Sequence, residues 1–206
     1  MIPHRPRHSL LRVAVGALAL TAAGCATKRV ARIEPGAVTD LSGRWNDTDS
    51  RLVANQLVEQ TLSAGWAKRY TDSHGGEPPT VIVGTFANRT LEHIAVGTFT
   101  KDIEKALVST GAARVVASGD ERSELRGERK DQQENARADT RARQGQELGA
   151  RYLLAGELQA IEDVEGRERV VFYQVDASLI DLETNAKVWV GQHKIKKYIT
   201  RSAFGL

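Results

Sequence analysis

Cys25 is the only cysteine among 206 residues, so its thiol has no disulfide partner within the chain. Three histidines follow it: His74 in a breaker loop, His93 in a turn and His193 in a strand-like run. Beyond Cys25 there is no His-x-x-x-His and no Cys pair, and none of these histidines adjoins a carboxylate cluster, so the spacing expected of a zinc site is missing there. Asn46, Asp47 and Asp49 are dense enough to suggest calcium, but the glycine and distal glutamate of an EF-hand loop are absent; helix capping accounts for them better. There is neither a Gly-x-Ser-x-Gly elbow nor a phosphate-binding loop. Glu157, Asp163 and Asp176 fall at strand ends or turns, and Asn88-Arg89-Thr90 is a bare glycosylation sequon. These residues assemble no active site, and the chain reads as a non-enzyme without cofactor, metal or small-molecule substrate.

What precedes Cys25 gives it a role. Arg5, Arg7 and Arg12 form a basic leader, and an apolar run from Val13 to Ala23 ends in the small residues Ala22-Ala23-Gly24. The run is about 11 residues, roughly 16 Å as a helix, too short for a hydrocarbon core about 30 Å thick. It reads as a signal peptide over residues 1–24. Small residues before the cysteine resemble a lipobox, the site at which bacterial lipoprotein signal peptidases cut once the cysteine carries diacylglycerol. Ala22 stands where the motif usually has Leu. The resemblance implies lipidation of Cys25, and Ala26 directly after it implies sorting to the periplasmic face of the outer membrane.

Removing the leader changes the charge argument. The precursor has 29 Lys and Arg against 26 Asp and Glu, and its net +3 is the contribution of the three leader arginines. Residues 25–206 are formally neutral, so the pI of about 9.1 carries no argument for nucleic acid. Residues 26–39, with Pro35 and Gly36, show no period and read as a short tether, roughly 46 Å at most when extended at about 3.3 Å per residue. Residues 40–206 then form one globular domain.

Within that domain the patterning alternates. Cap formers from Asp40 to Ser50 precede a helical stripe of Leu57, Val58, Thr61, Leu62, Gly65 and Trp66, predicting a helix over about 48–67. Residues 80–86 read as a buried strand, 96–109 as a helix closed by Gly111, and 114–117 as a second strand. Residues 121–147 carry seven Lys/Arg and seven Asp/Glu with few aliphatics, predicting one long or two broken solvated helices. Strands over 149–161, 170–181 and 187–199, with turns at 163–167 and 183–185, predict an antiparallel meander. Alternation in the last strand sets Trp189, His193, Ile195 and Ile199 on the pleat opposite Lys194 and Lys196, with an irregularity anticipated at Gly191. The fold class is α/β: a small mixed sheet with a C-terminal antiparallel meander and packed helices.

Several of these runs resemble the LpoB-type lipoproteins, outer-membrane activators of a bifunctional class A penicillin-binding protein. The resemblance is carried by Asp40-Leu41-Ser42-Gly43-Arg44-Trp45-Asn46-Asp47-Thr48-Asp49-Ser50-Arg51, Val81-Ile82-Val83-Gly84, Glu92-His93-Ile94, Asp102-Ile103-Glu104, Glu147-Leu148-Gly149-Ala150, Tyr173-Gln174-Val175 and Lys187-Val188-Trp189. It implies a fold like the N-terminal domain of TolB and a mechanism in which the tethered domain docks on the peptidoglycan synthase. Familiar members have a long proline-rich tether. The short one here means that an inner-membrane synthase must reach outward or that the partner differs. The same domain type also resembles the periplasmic part of secretion channels such as CsgG, which implies a scaffold or assembly lipoprotein. On general interface composition, Tyr173, Arg167, Arg169, Lys194, Lys196 and Tyr198 are the candidate partner-binding residues. The alternative for Tyr173 is sheet packing, and for the lysines protection of a sheet edge.

Overall fold

The computed structural model describes residues 29–200, so the expected leader over 1–24 and the expected lipidation site at Cys25 lie outside the described residues. The chain divides into Met1–Ala37 and Val38–Leu206. In the first unit, the described residues form no helix or strand and turn at Pro35-Gly36, where the Ala37 N–H donates to the Glu34 carbonyl at 2.9 Å.

In the second unit, helix α1 (Asp47–Ser63) starts at Asn46 in a reciprocal capping box. The Asp49 N–H donates to Asn46 Oδ1 at 3.1 Å, and the Asn46 N–H donates to Asp49 Oδ2 at 2.9 Å. The cap-former cluster therefore opens a helix. The helix stops earlier than the apolar stripe predicts, because Gly65 takes a left-handed conformation (φ 69°) and redirects the chain into α2 (Trp66–Ser73). Trp66 Nε1–H spans the break by donating to the Thr61 carbonyl at 2.8 Å.

Strand β1 (Thr80–Asn88) leads through a loop to α3 (Gly97–Thr110), which ends at Gly111 with φ 64°, as its position predicts. The next strand, β2 (Arg114–Val115), is shorter than predicted. Helix α4 (Gly119–Asn135) buries none of its residues, and the rest of the charged stretch is not helical. Beyond Asn135 side chains compete with the helix for backbone groups: Gln133 Nε2 donates to the Ala142 carbonyl at 2.7 Å, and the Ala142 N–H to Gln132 Oε1 at 2.9 Å. Glu147 folds back onto Arg126 and Arg129.

Three long strands follow, β3 (Tyr152–Glu165), β4 (Glu168–Asp181) and β5 (Lys187–Thr200). The sheet order is β2-β1-β3-β4-β5, with β1 parallel to β2 and β3 and the last three antiparallel, so the mixed α/β sheet with a C-terminal meander is present. The predicted turn over 163–167 contracts to Gly166-Arg167, because Glu165 already pairs with Glu168 and Gly166 supplies φ 58°.

One face of the sheet carries the core. Val81, Val83, Phe86, Leu154, Leu158, Val175 and Leu179 join Val53, Leu57, Phe99, Ile103 and Leu107 of α1 and α3 in one buried cluster. The pleat of β5 alternates as predicted: Trp189, His193, Ile195 and Ile199 are buried or half-buried, while Lys194 and Lys196 are exposed. The irregularity between β4 and β5 lies at Val188, not Gly191. At Gly191 the Trp189 indole lies where a Cβ would project. Gly156 is as tight, but against backbone: it sits between Phe86 and Ala177 in register, and a Cβ would collide with the Asp176 carbonyl and the Phe86 ring.

Gly156→Ala should therefore destabilise the domain by about 1–3 kcal/mol through overpacking, read as a lower urea midpoint at unchanged slope. His193 gives a pH signature. Burial lowers its pKa below 6.5, so the unfolded chain binds the proton more readily and stability falls as pH drops through 6.5. His193→Gln should flatten that decline in thermal melts between about pH 5 and 7.

Candidate functional site

Near the β3–β4 turn the core pleat of the meander meets the 40–46 segment and the loop after β1: Gly43 lies against Ile199, Trp45 against Tyr173, and Glu92 bonds Tyr173. Two inward charges organise this end. Lys197, on the buried pleat of β5, places Nζ 2.7 Å from Asp49 Oδ2 and 2.8 Å from Asp40 Oδ1, and donates to the Arg44 carbonyl at 3.1 Å. The Asn46 side chain donates to Asp40 as well. Asp49 retains 5% exposure and Lys197 13%, so the pair is largely shielded from water. Burial pushes the Lys197 pKa down, but the hydrogen bonds to Asp40 and Asp49 outweigh it and leave the ammonium above its ordinary 10.5. The Lys197 hydrogen bond holds the Asp40 carboxyl below its ordinary 3.8.

The second charge is Glu92. Its Oε1 accepts from the Tyr173 hydroxyl at 2.7 Å, and its Oε2 accepts from the Trp45 N–H at 3.2 Å. Arg169 bridges Glu162, at 2.6 Å, and Glu92, at 3.6 Å. Trp45 packs edge-on against Tyr173 with ring centroids 5.4 Å apart, and its Nε1–H donates to Ser50 Oγ at 2.9 Å. Burial, followed by the Glu92 hydrogen bond, pushes the Tyr173 phenol above its usual range.

The structure corrects one binding candidate. Tyr173 is fully buried, with 0% exposure, and offers no surface to a partner: it lies on the core pleat of β4, where its ring meets Trp45 and its hydroxyl has Glu92. Arg169 is also turned inward, and its guanidinium is engaged by two carboxylates. Arg167 and Tyr198 are exposed, and both line an open groove of about 1050 Å³ with Arg169, Lys197, Glu162, Val164 and residues 40–44. Tyr198 donates to Glu168 at 2.8 Å. Lys194 and Lys196 share the Tyr198 pleat on the open face of the sheet but do not line the groove.

Sequence reasoning missed Lys197, Glu92 and Gly43 as members of this site. Lys197 was legible by parity, since Ile195 and Ile199 flank it at two-residue spacing and an inward ammonium requires partners. Gly43, with φ 71°, lies against the Ile199 side chain at the place a Cβ would occupy. The histidines join nothing here: His74 stacks on Tyr70 at 3.8 Å, His93 is exposed, and His193 is half-buried on the core pleat. The site holds ion pairs, a groove and exposed basic and aromatic groups, an arrangement suited to binding.

Residues 49–195 match the family model described as peptidoglycan-synthase activator LpoB. The chain belongs to this family. The resemblance read from the sequence is thereby shown, and the family is one of envelope-associated lipoproteins that act as regulators of synthases, not as enzymes. Similar solved structures include a Neisseria meningitidis lipoprotein, GNA1162, at 16% identity and TM-score 0.39, covering 59% of this chain and 84% of that one. The Escherichia coli LpoB C-terminal domain is 15% identical with TM-score 0.36, covering 65% of this chain and 98% of that one. The PelC dodecamer of Paraburkholderia phytofirmans is 24% identical with TM-score 0.34, covering 60% and 75%. No curated protein sequence matches the chain. No helix among the described residues is long and apolar enough to cross a membrane.

Lys197→Met would leave Asp49 buried without its cation, and should lower stability by about 3 kcal/mol at neutral pH in urea titrations. Because Asp40 is held below 3.8 and Lys197 above 10.5, their contribution is present between those values and fades as pH falls below the first or rises above the second. Both limbs of the stability profile should be shallower in Lys197→Met.

Proposed function

We propose that this chain is an outer-membrane lipoprotein, anchored at the periplasmic face through lipid on Cys25, that binds and activates a bifunctional class A penicillin-binding protein. Residues 1–24 would be the removed leader, 25–39 the lipidated cysteine and tether, and 40–206 the binding domain. The observation that carries the reading is the family match over residues 49–195. The exposed Arg167, Lys194, Lys196 and Tyr198 would meet the synthase, with Arg169 as a positioning residue that stiffens the β3–β4 hairpin through Glu162.

Activation on this reading is a shift of populations. The domain has to bind the fast state of the synthase better than the slow one, because equal affinity would move nothing. Anchoring raises the domain's effective concentration within its reach and confines where it acts. A tether of about 14 residues, spanning much less than its extended roughly 46 Å, then requires the synthase to extend toward the outer membrane.

Adding soluble residues 26–206 to a purified class A synthase of the same organism should raise the rate of lipid II polymerisation. Arg167→Glu combined with Lys196→Glu should reduce that rise at least several-fold while leaving the thermal midpoint in place, as expected of exposed residues. An unchanged polymerisation rate together with no binding would refute the reading.

A further inference from the structure

β5 is the last strand of the sheet, and its side away from β4 has no strand beside it among the described residues. At one position that free edge already has a stand-in. The Gln60 side-chain amide of α1 donates to the Gln192 carbonyl at 3.1 Å and accepts from the Gln192 N–H at 3.2 Å, as a neighbouring strand would. In an antiparallel strand the N–H and C=O of one residue point to the same side, and successive residues alternate. The Gln60 pairing thus assigns the whole edge. Lys194, Lys196, Tyr198 and Thr200 aim their backbone groups outward, whereas Ile195, Lys197 and Ile199 aim theirs at β4. The side chains of those four outward residues are exposed.

The lysines of this strand fall into two kinds. Lys197 has two carboxylates, but Lys194 and Lys196 have none within ion-pair distance among the described residues. Their cross-strand neighbours are Gln174 and Phe172, which supply no charge. An edge with outward backbone donors and acceptors beside two uncompensated ammonium groups has a specific complement.

We infer that the free edge of β5 is a strand-addition site for an extended acidic segment of a partner protein. The segment pairs with the backbones of Lys194, Lys196 and Tyr198 and places carboxylates beside the two lysines. A second copy of this chain does not fit, because antiparallel self-pairing about this stretch sets lysine against lysine, and like charges directly opposite are destabilising. The inference rests on reading this face as the docking surface and adds the chemistry of the partner.

The probe is a capped, fluorescent peptide of about nine residues alternating Thr and Glu, long enough at roughly 3.3 Å per residue to span Gln192 to Thr200. It is titrated by anisotropy against the full chain in nonionic detergent. Binding is expected, weakening with salt, together with slowed amide exchange at residues 194, 196, 198 and 200. Lys196→Pro should weaken binding about tenfold or more without lowering the thermal midpoint, because the lost N–H faces away from the β4–β5 ladder. Lys194→Glu, which keeps every backbone donor, should weaken it comparably, and a Thr-Lys counterpart peptide should not bind. The inference is overturned by no binding, by binding that ignores both substitutions, by protection in the groove instead of along β5, or by a dimer paired through this edge. The synthase is absent from this assay, so its outcome and that of the polymerisation assay can fail independently.

Discussion

A largely shielded ammonium holds the end of this domain together. Lys197 lies on the core pleat of β5, and its desolvation is offset by Asp49, Asp40 and the Arg44 carbonyl. Those partners belong to the first turn of α1 and to the segment leading into it, so one cation joins the last strand to the first helix across nearly the full described chain. Asp49 also closes the capping box with Asn46. The same carboxylate therefore starts a helix and neutralises a strand, and helix position and strand register depend on each other through it.

The Glu92 network extends that arrangement. Tyr173, Trp45 and Arg169 converge on one carboxylate, which ties the loop after β1 to β4 and to the lead-in of α1. Side chains that resemble binding residues by type thus become structural by location. What stays at the surface is the rim: Arg167, Tyr198 and the two lysines on the open pleat. Ion-paired interior side chains hold this rim in place, and a preordered surface loses less freedom on association.

Much of the architecture was legible where local and tertiary demands agree. The cap at Asn46, the strand at Thr80, the left-handed Gly111 and the alternation of β5 follow from side-chain chemistry and a period of two. Predictions failed where the signal was weak or the decision distant. Residues 136–147 carry charges at helical spacing but no apolar stripe, so nothing packs a second helix there and side-chain hydrogen bonds prevail. Gly65 fitted the apolar stripe, yet its left-handed conformation turned one predicted helix into two.

By itself, the sequence determined the lone cysteine after a small-residue exit, the formal neutrality of residues 25–206, most of the order of helices and strands, and the family. Each is a property of residue types in linear order. Only the tertiary structure decided which polar groups face inward. Tyr173 and Lys196 both carry a polar tip on a long side chain, but the register of β4 and β5 buries the first against Trp45 and Glu92 and leaves the second on the open pleat. The physical reason is that burial of a polar group depends on a partner far along the chain: Tyr173 needs Glu92, and Lys197 needs Asp40 and Asp49.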